Sequence, residues 1–430
     1  MRTGAWVGAV AVVGAATGGA VWSWSDAEPP QGEVVTVEGG GSGAGAGVAA
    51  AAPLYAWVQL GSTRGPLARA VVSAPAACPS LLVDGATLAM SSRAKSPPAF
   101  SAITVCEAVL PSSTKSVQLQ SGLVLPAPSG AAQDVVVLGD TGCRNSNQPC
   151  TGDPNKPTSA GRPWGFPVLA ASAAKVKADL FIHVGDYLYR EHGCSECGLG
   201  WTTWEAEWFK PAQAGGLLTR APWVFARGNH EGCTRAWEGY ALLLAPDATP
   251  ATLCQSGALS LPPAVVPLHG LDVHVVDSSF SATASSHKPD VEQAQADFTT
   301  VKSTIGTSTT DAWLVTHWPI CGDVACQGAL GTAWDNSGLG QVAALKWLHV
   351  GHVHLFRHIQ AGQAGHGVQH PAQTITGGSG TSLDPCPGGG ACDDTSYTFL
   401  HVSRSGAGWS GTVLDTNGAT VSSMGTISVP

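Results

Sequence analysis

Side chains able to ligate a metal recur in this chain just past short apolar runs. Asp140 ends VVVLGD, and Asp186 ends LFIHVGD with Tyr189 three residues on. Asn229 ends WVFARGN, His317 ends WLVTH, and His352 and His354 lie in LHVGHVH. Runs of β-formers that stop on such a residue read as buried parallel strands with chemistry at their carboxyl ends. Two cations held close together need a shared anion to offset their repulsion, and Asp186, on the middle run, is the candidate bridge. Asp140 supplies a second carboxylate, and one turn brings the Tyr189 phenol back toward the same place. Asn229 offers a neutral oxygen, while His317 and His352 offer nitrogens for a softer ion. In an extended segment, His354 falls on the same face as His352.

His230 follows a candidate ligand but has no metal left to bind. Near an ester oxygen it is the candidate proton donor, with Glu231 placed to orient it. Arg144 and Arg190 are near enough in sequence to contact the charged oxygens of a substrate; His183, His192, His287 and Lys288 are weaker candidates. His269, His274 and His401 on β-runs read as packing or hydrogen-bonding residues. Asp179, Asp272 and Asp311 precede apolar runs and read as turn or cap residues.

The elements that must position these groups follow a strand–helix–strand rhythm from Asp134 onward. Helices are predicted over Phe166 to Lys177, Thr202 to Leu218, Thr234 to Leu244 and Pro289 to Ile305, with a short one over Gly340 to Leu345. Leu271 to Asp277 and Asp311 to His317 are predicted strands, and the β-like runs after residue 372 close the sheet antiparallel. The fold class is α/β (α+β), with two packed mixed β-sheets flanked by helices. Before it, residues 49–130 show short apolar runs cut by Pro, Gly and Ser, which read as a small all-β sandwich of immunoglobulin-like type. The joint falls near 130, leaving 131–430 as the catalytic domain.

The first 27 residues carry one early Arg and an apolar, small-residue run that reads as a secretory signal, with an uncleaved anchor as the alternative. Residues 28–48 are a Gly/Ala-rich linker or first strand. No other run reaches membrane-spanning length, so no transmembrane segment is expected in the mature chain. Twelve Cys, an even number, follow this signal, which points to disulfides and a secreted or periplasmic protein. Nearest-neighbour pairing gives Cys78–Cys106, Cys143–Cys150, Cys194–Cys197, Cys233–Cys254, Cys321–Cys326 and Cys386–Cys392. Cys194 and Cys197 alone also have redox or zinc spacing. The 21 basic and 30 acidic residues argue against a binder of nucleic-acid backbones. The 15 Trp exceed what a core requires and include candidates for a cleft.

GDTG at 139–142, GDYLY at 185–189, GNHE at 228–231, LVTH ending at His317 and GHVH at 351–354 resemble the five blocks of the calcineurin-like metallophosphoesterases. Gly142 and Tyr189 make the chain similar to the purple acid phosphatase branch. The resemblance covers about 134–380 and implies a metallophosphoesterase-type sandwich, in many members preceded by a fibronectin-like domain. It implies Fe(III) held by Asp140, Tyr189 and His354, a divalent Zn, Mn or Fe held by Asn229, His317 and His352, and Asp186 bridging. His230 takes the acid's role. The implied activity is acid phosphatase-like hydrolysis of small phosphate monoesters by a metal-bound hydroxide. The alternatives are a phosphodiesterase or nucleotidase on the same scaffold, or a non-catalytic secreted binding module. A Zn or Mn pair remains open if Tyr189 turns away. The segment between His317 and His352, with its Cys pair, departs from better-known members.

Overall fold

An apolar run such as Tyr55–Val58 needs cover on both faces, and the strand that holds it, Tyr55–Gln59 (β1), is buried along its whole length. The computed structural model describes residues 52–430 except 129, 131, 160, 192, 194–196, 256–258, 280–289, 307, 322–325, 327, 364–368, 388–390 and 407. In it, Asp134–Leu138 (β2), Leu180–His183 (β3) and Trp223–Phe225 (β4) lie parallel and adjacent. β1 joins β4 in parallel, with Gln59 opposite Trp223. These strands form the middle of a ten-stranded sheet. Thr398–Ser405 extends it antiparallel beside β2, and Leu67–Ser73 and Ile103–Val109 extend it beyond β1.

A second, seven-stranded sheet has Leu271–Val275 (β5), Asp311–Val315 (β6), Leu345–Val350 (β7) and Ala372–Thr376 (β8) in parallel at its centre. Period-two alternation decides which residues face which layer. Val135, Val137, Ile182 and Val224 meet Val273, Trp313, Val315 and Trp347 between the sheets. On the outer face of the first sheet, Val136, Phe181 and Phe225 pack against helix Phe166–Ala173 and the helical run from Trp201 to Ala214. Leu314 and Leu348 face helices Val291–Ile305 and Gly328–Ser337 outside the second. The order is therefore helix, sheet, sheet, helix.

The strand pairing corrects the reading of 49–130 as a sandwich separate from the rest. A small sheet of Ser80–Val83, Ala86–Ala89, Val117–Leu119 and Val124–Leu125 does pack face to face on Ala56, Val58, Ala68 and Ala70. Those four residues, however, belong to the ten-stranded sheet. No boundary falls near 130, and the described residues from 52 to 430 belong to one compact unit. The helix Gly328–Ser337 was not read from sequence, and the predicted helix over Gly340 to Leu345 is only a turn, Leu339–Gln341, leading into β7. Cys78–Cys106, Cys143–Cys150, Cys233–Cys254, Cys321–Cys326 and Cys386–Cys392 pair as expected. Cys194, His192, His287, Lys288, the signal and the linker lie outside the described residues. Among the described residues no helix is long and apolar enough to cross a membrane. Trp57, Trp204, Trp208, Trp223, Trp313, Trp334, Trp347 and Trp409 are wholly buried, so much of the tryptophan serves the core.

Candidate metal centre

The carboxyl ends of β2, β3 and β4 meet those of β6 and β7, and the chain turns sharply at three of the tips that carry candidate ligands. Asp140, Asp186 and His352 all adopt positive φ, at 55°, 59° and 72°. Left-handed backbone at three non-glycine residues of one cluster stores strain where the side chains must be aimed. His352 and His354 are thus set by a turn past β7, where an extended segment was expected, and both still face the cluster. Close approach explains two glycines. A Cβ at Gly228 would fall on the Asp186 carboxylate, and one at Gly142 would lie 2.8 Å from the Tyr189 ring.

Two groups of donors share one oxygen. Tyr189 Oη lies 2.9 Å from Asp186 Oδ2, 3.0 Å from Asp140 Oδ1 and 3.0 Å from His354 Nε2. Asn229 Oδ1 lies 2.9 Å from His317 Nε2 and 2.8 Å from His352 Nδ1. His317 Nε2 is 3.3 Å from the same Asp186 Oδ2. Asp140 and Asp186 are buried, and histidine is the only basic residue type within ion-pair distance of either among the described residues.

Proton equilibria show the strain of holding these charges together. Burial and the neighbouring Asp186 carboxylate push Asp140 far above the usual carboxylate range, against the pull of His317. Burial opposes ionisation of Asp186 too, yet His317 and His230 hold it well below that range. Burial would lower His317, but Asp186 overrides it and raises the imidazole to about 9. Burial pushes Tyr189 well up, helped by both carboxylates, and drives His352 down to about 3 and His354 to about 4. Two buried carboxylates, a phenol, an amide oxygen and three imidazoles aimed at each other suit cations, which would replace the protons that otherwise keep the peace. The donor set fits a pair of metal ions sharing Asp186.

Two buried glutamates build the loop between these ligands. Glu231 accepts from the backbone N–H of Asp186, Tyr187, Leu188 and Gly228. Glu207 accepts from those of Cys143, Tyr189 and Arg190. The expected role of Glu231 is therefore corrected. Its hydrogen bonds go to backbone around Asp186, while His230 is met by Glu191 and Arg235. Glu191 Oε1 is 3.1 Å from His230 Nδ1, and Arg235 Nη2 is 2.7 Å from it. His230 sits at the cavity wall, its ring 4.0 Å from that of Tyr189 and its Nε2 3.9 Å from Asp186 Oδ2.

The cavity over this cluster measures about 870 Å³ and is lined by Tyr189, Asn229, His230, His352, His354, Arg144, Arg235, Glu191 and Asp384 among others. Arg144 is thus at the site, but Arg190 is not. Arg190 packs over Trp164 and pairs with Glu207 at 3.3 Å, because Glu207 is a buried carboxylate needing a cation. His183 is a core residue, stacked on Tyr187 and 3.0 Å from Thr141 Oγ1. Sequence reading missed Glu191, Arg235, Glu207, Asp384 and Trp318. Asp384 holds the His354 backbone N–H at 3.0 Å, and Trp318 stacks on His352 at 3.6 Å. Only Glu207 left a signal, as a lone carboxylate on the apolar stripe with Trp204 and Trp208.

Residues 134–303 match the family model described as calcineurin-like phosphoesterase. No curated protein matches the sequence. Among solved structures, the chain is similar to purple acid phosphatase PPD1 from yellow lupin (Lupinus luteus) seeds, with 13% identity and a TM-score of 0.53, covering 86% of this chain and 73% of that one. It is also similar to PhoD, with 11% identity and a TM-score of 0.54, covering 85% and 91%. The match over 134–303, the shared fold and the two donor groups together support metal-dependent phosphoester hydrolysis. The part of the chain that carries the family match, residues 134–303, holds Asp140, Asp186, Tyr189 and Asn229, and this supports a hydrolase.

Proposed function

We propose that this protein hydrolyses small phosphate monoesters in the manner of a purple acid phosphatase, with Fe(III) and a divalent Zn, Mn or Fe. Asp140, Tyr189 and His354 would hold the iron, Asn229, His317 and His352 the divalent ion, with Asp186 shared. The observation that carries this reading is the Tyr189 phenol, which points at Asp140, Asp186 and His354 together. A phenolate is an anionic, hard oxygen donor that suits Fe(III). The metal pair, when bound, supplies Lewis acidity toward phosphoryl oxygens and acidifies water for attack on phosphorus.

The chain's own groups do the rest. Asn229, held between two imidazoles, fixes the side of the cluster nearest β6 and β7. His230 faces the cavity beside the shared carboxylate, where its imidazole can hand a proton to the departing ester oxygen. Arg144 lines the same cavity, near His354. The disulfides are consistent with an oxidising compartment, and we take the protein to be secreted or periplasmic.

Elemental analysis and a visible spectrum on the same sample test the reading. Iron plus a second metal, with a broad visible band lost in Tyr189→Phe, is the expected result. p-Nitrophenyl phosphate should then be cleaved faster at acid pH than its bis(p-nitrophenyl) diester. Two metals without colour would discard the iron–tyrosinate site, and a preference for the diester would discard the monoester assignment.

A further inference from the structure

The guanidiniums in this protein mostly answer to internal needs. Arg69 and Arg93 cap helix carbonyls, Arg227 pairs with Asp277, and Arg190 pairs with Glu207. Arg235 differs, because it lines the cavity over the ligand cluster and its side chain keeps 21% of its surface exposed. Its Nε donates to Glu191 Oε1 at 2.7 Å and its Nη2 lies 2.6 Å from the same oxygen. That Nη2 also reaches His230, 2.7 Å from Nδ1 and 3.1 Å from Nε2. Nη1 makes no hydrogen bond among the described residues.

We propose that Arg235 is a specificity-determining residue for the reaction proposed above: oriented by Glu191, it binds a charged phosphoryl oxygen and favours monoester dianions over diesters. A guanidinium pinned along one edge leaves its remaining N–H groups pre-aimed, so little entropy is lost when an oxyanion meets them. A monoester presents an additional charged oxygen where a diester carries a substituted, neutral one. A cation at the cavity wall beside His230 therefore discriminates between the two classes by charge. The inference rests on phosphoester hydrolysis at this site, but not on which metals serve it.

The test uses the full, metal-loaded chain. For Arg235→Ala, kcat/KM on p-nitrophenyl phosphate should fall roughly 10- to 100-fold, the loss of one charge-assisted hydrogen bond. On bis(p-nitrophenyl) phosphate the fall should stay within about 3-fold, since no charged partner is lost there. Binding of inorganic phosphate, followed by calorimetry, should weaken by the same factor as the monoester. Arg235→Lys should recover part of the loss, and Glu191→Gln should raise KM for the monoester more than it lowers kcat. These two milder variants keep the test open if Arg235→Ala does not fold. Equal losses on both esters, or unchanged phosphate affinity, would overturn the inference. Wild-type protein that prefers diesters, yet binds phosphate through Arg235, would instead overturn the monoester reading alone. Monoester hydrolysis indifferent to Arg235 would overturn only the role of Arg235.

Discussion

Two clusters of buried charge flank the ten-stranded sheet, and they are neutralised in different ways. Toward its amino-terminal strands, Glu107 lies between Arg69, Arg93 and Arg64. Burial pushes its carboxyl up, but the three arginines together hold it below the ordinary value. The surplus guanidinium hydrogens go to the carbonyls of Ala241, Leu243, Ala245, Pro246 and Ala248, where a helical run ends. This cluster is complete within the protein. At the strand tips, Asp140 and Asp186 have only histidines and a phenol, and the same accounting leaves them short of positive charge. The difference separates a structural ion network from a site built for cations.

Breaking the second cluster should cost function before fold. Asp186→Asn removes the oxygen common to both donor groups, so metal content by elemental analysis should fall and activity should drop more than about a hundredfold. Circular dichroism should be retained; full metal occupancy in this variant would contradict the shared-ligand geometry. Breaking the first cluster should do the reverse. Glu107→Ala strands two buried guanidiniums and should cost about 3–5 kcal/mol in urea unfolding, with metal stoichiometry intact.

A third buried carboxylate sharpens the contrast because no cation pairs with it among the described residues. Asp297, on Val291–Ile305, is only 4% exposed, and burial raises it to about 7 despite the hydrogen bond from Gln293. Its folded value lies above its unfolded one, so the associated stability is present below about pH 4 and is lost as pH rises toward 7. Asp297→Asn should leave thermal stability unchanged near pH 4 and raise it by about 1–3 kcal/mol near pH 8. Equal gains at both pH values would mean that ionisation is not the cause.

The strand tips that carry Asp140, Asp186, Asn229, His317 and His352 were legible because parallel strands buried on both faces write continuous apolar runs, and each of these residues follows the end of one. The supporting groups left almost no trace. Glu191 and Arg235 lie in turns far apart in sequence, and only folding brings them onto His230. Glu231 beside His230 suggested a local partnership, whereas its carboxylate turns inward to satisfy four backbone donors. The separate sandwich was misread for a related reason. The all-apolar run at Tyr55–Val58 was itself the mark of a central strand, but no local rule says which sheet receives it.

The sequence by itself determined the inventory and order of the candidate donors, because these rest on local periodicity; five of the nearest-neighbour cysteine pairs were an expectation that only the fold established. Only the tertiary structure decided that β1 joins β4, that Glu231 turns to backbone donors while Glu191 meets His230, and that Arg235 faces the cavity while Arg190 does not. Those outcomes depend on which buried charge finds which partner across the fold, and that is settled by packing between elements far apart in the chain.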